Sequence, residues 1–434
     1  MQLGGHSIFH PIPLLTLFLA VMGPASAQQQ APLTLATIHF TGLEHYSEKQ
    51  SALASGLQVG SPVTLAQIQS ASDRLAQSGA FDKISYRYST HGTDVSVEFQ
   101  VAETKNRLPC AFDNFVWFTP DELDRTLRAR VPLYDGTVPE RGNTSREIAD
   151  ALRLLLQTNG IAGTVNGFPS MKGDRYTSFA FGVSGVSMPV RSIHLSGAAG
   201  VPETDLVSAA KDLKDKDYSA TDTEAVESLT LLAIYYRHGY LQARFGPPQP
   251  AVIGNTRSGA SFDIALTIPV IEGVQYSWDR ASWTRNQKFS SDQLNGLLAM
   301  TPHEIANQDK IDAGLKAIST AYSKLGFIDA TIAPGVSLDE NARLVKYDSA
   351  VDEGIQYKMG ELLITGLDDR TAGDLAKKWP IKPGQVFDGT CVRDFVKNTA
   401  LPKIAASGKH FEHLDEHLER HKENATVDLA LAFR

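Results

Sequence analysis

The chain has 434 residues, enough for about three average domains or for a larger number of small ones. Apolar residues make up 42% and charged residues 21%, an ordinary globular balance that excludes a wholly disordered or collagen-like chain. Forty-one basic and 49 acidic residues leave a formal charge of −8, which does not suit a nucleic-acid binder, and two cysteines are too few for a disulfide scaffold or a Cys-based zinc module.

The first element is an apolar run over residues 12–22. It is too short to span a bilayer, which takes roughly 20 apolar residues. Gly23-Pro24 and then Ala25-Ser26-Ala27 follow it, with small residues where a secretory signal peptide is cleaved. The expected leader is residues 1–27, with a mature chain starting at Gln28, although its n-region holds His6 and His10 and no Lys or Arg. The chain is therefore expected to be exported, with no transmembrane helix in the mature chain.

From there a small unit recurs. The first copy opens with a strand over residues 36–43 (Ala-Thr-Ile-His-Phe-Thr-Gly-Leu) and a short helix over 47–57. A second helix ends at Gly79, after Leu75-Ala76-Gln77-Ser78. Residues 83–88 then alternate with period two, a turn covers 90–93, and 95–101 alternate again, which reads as a hairpin. In the second copy the opening strand is expected around Trp117-Phe118-Thr119-Pro120, and the helix ends at Gly160. The third opens at residues 192–197. Its second helix carries Val226, Leu229, Ala233 and Tyr236 as an apolar stripe, it ends at Gly239, and its last strand covers 262–268. The fourth opens around Arg280-Ala281-Ser282-Trp283. Its helix stripe is Ile311, Leu315, Ile318 and Tyr322, it ends at Gly326, and its last strand covers 344–347. The fifth opens at 361–367, has its helix-ending glycine at Gly408, and closes with 427–433.

The glycines at 79, 160, 239, 326 and 408 are 81, 79, 87 and 82 residues apart. Each is expected to end a helix, because glycine takes a left-handed conformation without a Cβ clash. The order predicted is β-α-α-β-β, five times, over residues 33–107, 108–190, 191–273, 274–354 and 355–434. The joints are short, and no Gly/Ser- or Pro-rich linker separates the copies, so the array is expected to be semi-rigid.

An exported β-α-α-β-β repeat with Gly-Leu after the first strand resembles the POTRA (polypeptide-transport-associated) domain. In the first unit the likeness rests on Phe40-Thr41-Gly42-Leu43, Gly60-Ser61-Pro62-Val63 and Ser78-Gly79-Ala80-Phe81-Asp82. In the fifth it rests on Ile364-Thr365-Gly366-Leu367 and Pro383-Gly384-Gln385-Val386-Phe387-Asp388. The second and fourth units lack the glycine of the opening strand. Five tandem copies resemble the periplasmic arm of BamA-type outer-membrane assembly factors. No series of alternating ten-residue segments follows the fifth unit to build a barrel.

The resemblance implies an α+β fold of five units, each a three-stranded mixed sheet with two helices, in an extended array. It implies structural glycines at Gly42, Gly79, Gly160, Gly197, Gly239, Gly326, Gly366 and Gly408. It also implies edge strands that take up partner chains, here Ile84, Ser85, Tyr86 and Tyr88 in the first unit and Leu241, Gln242, Ala243 and Phe245 in the third. The aromatics that recur at matching places, such as Tyr235, Tyr240, Tyr322 and Phe327, read mostly as core anchors.

Enzyme motifs are sparse. His413-Leu414-Asp415-Glu416-His417 spells H-x-x-E-H, the inverted zinc-peptidase pattern, which on a helix would put both histidines on one face. No separate element follows to give the third ligand that a zinc site needs, so a solvated, charge-mixed segment is the expectation, and no metal. Cys110 and Cys391, 281 positions apart, are expected as buried free thiols. The function expected is a non-enzymatic periplasmic scaffold for outer-membrane protein assembly or transport. Its partners would be an outer-membrane β-barrel protein, unfolded clients, or both, bound by β-augmentation and with no cofactor. A structural arm of a cell-envelope or division complex is the alternative, and a periplasmic zinc hydrolase the last.

Overall fold

The computed structural model describes residues 33–256, 260–406 and 411–434. The expected leader and Gly408 lie outside the described residues. The described residues form five sheets, none closed on itself, and no helix among them is long and apolar enough to cross a membrane.

The first sheet is built from β1 (Leu33–Thr41), α1 (Glu48–Ser55), β2 (Pro62–Val63), α2 (Leu65–Ser78), β3 (Phe81–His91) and β4 (Asp94–Glu103), in the strand order β2-β1-β4-β3. Capping boxes start both helices, Ser47 with Gln50 and Thr64 with Gln67, each pair satisfying two otherwise orphaned N–H groups. In β4 the side chains of Val95, Val97, Phe99 and Val101 point into the core, while Ser96, Glu98 and Gln100 face the other way. The helices pack on that apolar face, α2 through Ile68, Ala71 and Leu75.

The second sheet uses β5 (Arg107–Phe112), α3 (Pro120–Arg130), β6 (Thr137–Pro139), α4 (Thr144–Thr158), β7 (Thr164–Lys172) and β8 (Arg175–Ser184), in the order β6-β5-β8-β7. Its opening strand is thus ten residues earlier than expected. Trp117-Phe118-Thr119 form the turn into α3, which starts on Pro120, a residue preorganised for a first helical position.

The third sheet uses β9 (Val190–Ser196), α5 (Glu203–Ala209), α6 (Ala220–Val226), a π-helical turn over Glu227–Leu231, α7 (Leu232–Arg237), β10 (Arg244–Phe245), β11 (Gln249–Asn255) and β12 (Phe262–Ile271). β12 runs parallel to β9 and antiparallel to β10 and β11, whose registers follow on, with Phe245 opposite Val270 and Gln249 opposite Thr267. Gly246-Pro247-Pro248 interrupt what is otherwise one strand. The fourth sheet uses β13 (Ser277–Thr284), α8 (Ser291–Leu298), α9 (Gln308–Lys324), β14 (Thr331–Asp339) and β15 (Leu344–Asp352), in the order β13-β15-β14. The fifth uses β16 (Lys358–Thr365), α10 (Asp369–Lys378), α11 (Cys391–Phe395), a π-helical turn over Val396–Ala400, α12 (Leu401–Ala406), β17 (Leu414–His421) and β18 (Thr426–Phe433), in the order β16-β18-β17.

Three strands therefore make the fourth and fifth sheets, and four the first and second. The added strand is the short segment before the second helix, which pairs with the outer side of the opening strand. In the other sheets the same segment makes a single bridge: Pro189 to Asp217, Ser277 to Ile305 and Lys358 to Val386.

The second helix of the third sheet departs from its expected register. Its buried residues are Thr223, Glu227, Leu231 and Tyr235, whereas Leu229 is 78% exposed and Val226, Ala233 and Tyr236 are half-buried. The π-helical turn lengthens the repeat to four residues per contact, which rotates the buried face off the 3.6-residue stripe. In α9, which is regular, the expected Ile311, Ile318 and Tyr322 are buried and Leu315 is half-buried. The shifted face buries Glu227, whose Oε1 has no hydrogen-bond partner among the described residues. Burial, with Glu224 nearby, pushes its carboxyl up to about 7. A carboxyl raised in the fold does not oppose folding below its unfolded value near 4 and costs stability as pH rises toward 7. Glu227→Gln, which removes the buried charge, is expected to melt above the wild type at pH 8, by about 1–3 kcal/mol, the order of the desolvation cost of one buried group. The gap should close by pH 4 in melting curves taken across that range, and equal melting at both pH values would contradict the account.

The turn after the opening strand is also repeated. Gly42, Gly197 and Gly366 stand there at φ 89°, 89° and 81°, and Gly79, Gly160, Gly239 and Gly326 also have positive φ. In the fourth sheet the place belongs to Arg285, at φ 62°, so the turn forms without the glycine. A Cβ at Gly366 would run into the Phe433 carbonyl oxygen. Gly366→Ala is expected to lose upwards of about 2 kcal/mol, and Arg285→Gly to change stability by no more than about 1 kcal/mol, in urea melts.

Candidate partner-binding edge

β3 lies at the edge of the first sheet and is eleven residues long. Ile84, Tyr86 and Tyr88 sit opposite Val101, Phe99 and Val97, on the helix side of the sheet. Ile84 and Tyr86 pack against the core, and Tyr88, beyond it, is 46% exposed. The Tyr86 hydroxyl donates to Gln69 Oε1 at 2.8 Å, which ties the edge strand to α2. On the other face Ser85 sits opposite Gln100, and Arg87 donates to Glu98 from Nη2 at 2.7 Å and from Nε at 3.0 Å. With Thr41 these residues line a shallow cavity of about 210 Å³.

β3 contains neither proline nor glycine, and after a register shift between Phe81 and Lys83 its outer side presents a continuous series of alternate N–H and C=O groups from Lys83 to His91. The matching strands of the next three sheets are interrupted. β7 contains Gly167 and Pro169, the β10–β11 strand is broken at Gly246-Pro247-Pro248 and carries Pro250, and β14 contains Pro334-Gly335. Proline cannot donate, and on an edge its ring takes the outward position. β17 is uninterrupted, but Asp415, Glu416, Glu419 and Arg420 make it a charged edge.

The residues expected for the third unit are placed differently. Of Leu241, Gln242, Ala243 and Phe245, only Phe245 is in a strand, with its ring 6.0 Å from that of Tyr235. Leu241 packs against the core of the fourth sheet, and Ala243 is buried. Gln242 Oε1 accepts the Tyr276 hydroxyl at 2.7 Å. These residues belong to a joint. The Gly239 carbonyl accepts the Tyr276 N–H at 2.8 Å, and Gln275 Nε2 donates to the His238 carbonyl at 2.9 Å. The same joint recurs one unit later. The Gly326 carbonyl accepts the Tyr357 N–H at 2.9 Å, Gln356 Nε2 donates to the Leu325 carbonyl at 2.9 Å, and the Tyr357 hydroxyl donates to Asp329 at 3.0 Å. Its sequence mark is Glu272-Gly273-Val274-Gln275-Tyr276 against Glu353-Gly354-Ile355-Gln356-Tyr357. That repeat is legible in the sequence, but it lies between the helix-ending glycines and outside the period that they define.

His417 is in β17, opposite Ala430, and His413 lies just before that strand. Four residues along an extended strand span roughly 13 Å, too far for both rings to bind one ion. Among the described residues no group of three or more His, Cys, Asp or Glu side chains is placed to hold a metal. Cys110 and Cys391 are free thiols, half-buried rather than buried, and desolvation pushes them up to about 12 and about 11 respectively. His413→Ala combined with His417→Ala is expected to leave stability within about 0.5 kcal/mol of wild type, both side chains being exposed. A loss of function restored by added zinc would speak for a metal site.

Residues 279–354 match the family model POTRA, described as surface antigen variable number repeat. They take in most of β13 and all of α8, α9, β14 and β15. Over 164 residues, 38% of the chain, the sequence is 23% identical to a protein of Treponema pallidum (strain Nichols) named as an outer membrane protein assembly factor. The chain spans about a fifth (20%) of the length of that relative. Among solved structures it is similar to POTRA3-5 of BamA from Haemophilus influenzae, at 17% identity and a TM-score of 0.44, over 57% of this chain and 96% of that one. It is also similar to POTRA1-3 of the periplasmic domain of Omp85 from Anabaena, at 15% identity and a TM-score of 0.27, over 57% and 95% of the two chains. Residues 279–354 therefore carry a POTRA domain by the match of the family model.

Proposed function

We propose that the chain is a non-enzymatic periplasmic scaffold of outer-membrane protein assembly or transport, which captures extended segments of partner or client proteins by strand addition along β3. Residues 33–107, 108–190, 191–273, 274–354 and 355–434 are the five POTRA-like units in this reading, each with a β-α-α-β-β frame to which the short pre-helix segments are added. The chain is exported and held near the outer membrane by its partner, a β-barrel protein. The POTRA match over residues 279–354 and the likeness to an outer membrane protein assembly factor support the setting. The observation that carries the mechanism is the edge of β3, eleven residues without proline or glycine. Main-chain hydrogen bonds along such an edge do not depend on the sequence of the added strand, which suits diverse clients.

Neighbouring residues of β3 have opposite parity, so one of Ser85 and Tyr86 points its N–H at β4 and the other points it outward. Of Ser85→Pro and Tyr86→Pro, the one that removes a ladder bond is expected to destabilise the unit by about 3 kcal/mol. The other should fold and lose capture of an extended peptide. Melting curves identify the folded variant, and crosslinking to a biotin-tagged peptide of alternating apolar and polar residues measures its capture. A variant that folds like wild type and captures the peptide undiminished would rule out addition at β3.

A further inference from the structure

Each sheet has a second edge, the outer side of its opening strand. We propose that Glu48 and Glu203 are specificity-determining residues that close this edge in the first and third sheets, leaving β3 as the edge that takes an added strand. The proposal rests on the strand-addition reading above.

In β1 the Leu35 N–H donates to the Ser61 carbonyl at 3.0 Å and the Leu35 carbonyl accepts from Gly60 at 2.7 Å, so Leu35 faces away from β4. The register then shifts between Leu35 and Thr37, and further along the strand the Phe40 N–H donates to Glu48 Oε1 at 3.2 Å. His39 Nδ1 stands 3.5 Å from the same oxygen. β9 repeats the arrangement. Val190 exchanges bonds with Lys216 and Asp215, both at 2.9 Å. The Leu195 N–H then donates to Glu203 Oε1 at 3.4 Å, and His194 Nδ1 is 2.7 Å from that oxygen. The sequence repeats too: Ile38-His39-Phe40-Thr41-Gly42 and Ile193-His194-Leu195-Ser196-Gly197, each with its glutamate nine residues after the histidine.

A carboxylate on an outward N–H occupies the donor that an incoming strand needs, and its charge repels the incoming carbonyl. Glu48 and Glu203 have side chains 54% and 49% exposed, so they block the edge from the solvent side rather than from the core. The fourth and fifth sheets lack the glutamate at this place. In the fourth sheet Ser291 stands nine residues after Ser282, and in the fifth Ala372 stands nine after Leu363.

The test uses the full chain with a photo-crosslinking amino acid placed at Thr37 in β1, at Ser192 in β9 or at Tyr88 in β3, and the tagged alternating peptide as probe. In the wild type the peptide is expected to label from position 88 and not from 37 or 192. Glu48→Ala should raise labelling from 37, and Glu203→Ala from 192, about tenfold each, the worth of one hydrogen bond to a charged group. Glu48→Gln and Glu203→Gln, which keep an acceptor oxygen but lose the charge, should raise labelling less than the alanine variants do. The second pair keeps the test decisive if one alanine variant does not fold. Labelling from 88 with no gain from 37 or 192 in a folded alanine variant would overturn the guard and leave the reading of β3 intact. No labelling from 88 in any variant would overturn strand addition at β3, and the guard with it.

Discussion

Everything in these units depends on the central position of the last strand. β4, β12, β15 and β18 each pair with the opening strand on one side and with the hairpin partner on the other. Their inward positions are almost wholly apolar: Val95, Val97, Phe99 and Val101 in β4, and Phe262, Ile264, Leu266, Ile268 and Val270 in β12. A strand flanked on both sides cannot slip by one residue without turning that row to solvent, so it holds the register of the sheet. The two helices cover the row on one face. The hairpin partner is then left on the outside, with one side of its backbone unpaired.

An exposed backbone edge is a liability as well as a site, and the units treat it differently. Proline breaks the outward donor series of β7, the β10–β11 strand and β14, β17 is acidic for much of its length, and β3 has neither proline nor glycine. The opening strands are partly covered by the short segment before the second helix, fully enough in two sheets to count as a strand. Glu48 and Glu203 each accept an outward N–H further along β1 and β9, those of Phe40 and Leu195.

The joints use another constraint. A helix that ends at Gly239 or Gly326 leaves carbonyls without helical partners, and the following unit supplies them, through the N–H groups of Tyr276 and Tyr357 and the side chains of Gln275 and Gln356. A Cβ at Gly326 would lie 2.7 Å from the Tyr357 carbonyl oxygen, so a positive φ and a close approach both require glycine there. The helix stop and the connection to the next unit are one structure.

The sequence by itself determined the glycine stops at 79, 160, 239 and 326 and the alternation of the last strands, because these are local: a left-handed residue or a two-residue period is written in adjacent positions. It also placed β3, since Ile84, Tyr86 and Tyr88 alternate next to a turn and a second alternating strand. What the tertiary structure decided depends on contacts between distant residues. The π-helical turn at Glu227 moved the buried face away from Leu229 because the inserted residue changes which side chains meet the sheet, and a 3.6-residue template cannot register it. Leu241, Gln242 and Ala243 read as a strand next to their glycine, yet the Tyr276 hydroxyl and the fourth core draw them into a joint. Arg285 took the turn that glycine holds elsewhere, because the pairing of β13 with β15 fixes where that strand must end. Edge or centre, and open or guarded, are properties of a whole sheet, and no single stretch of chain contains them.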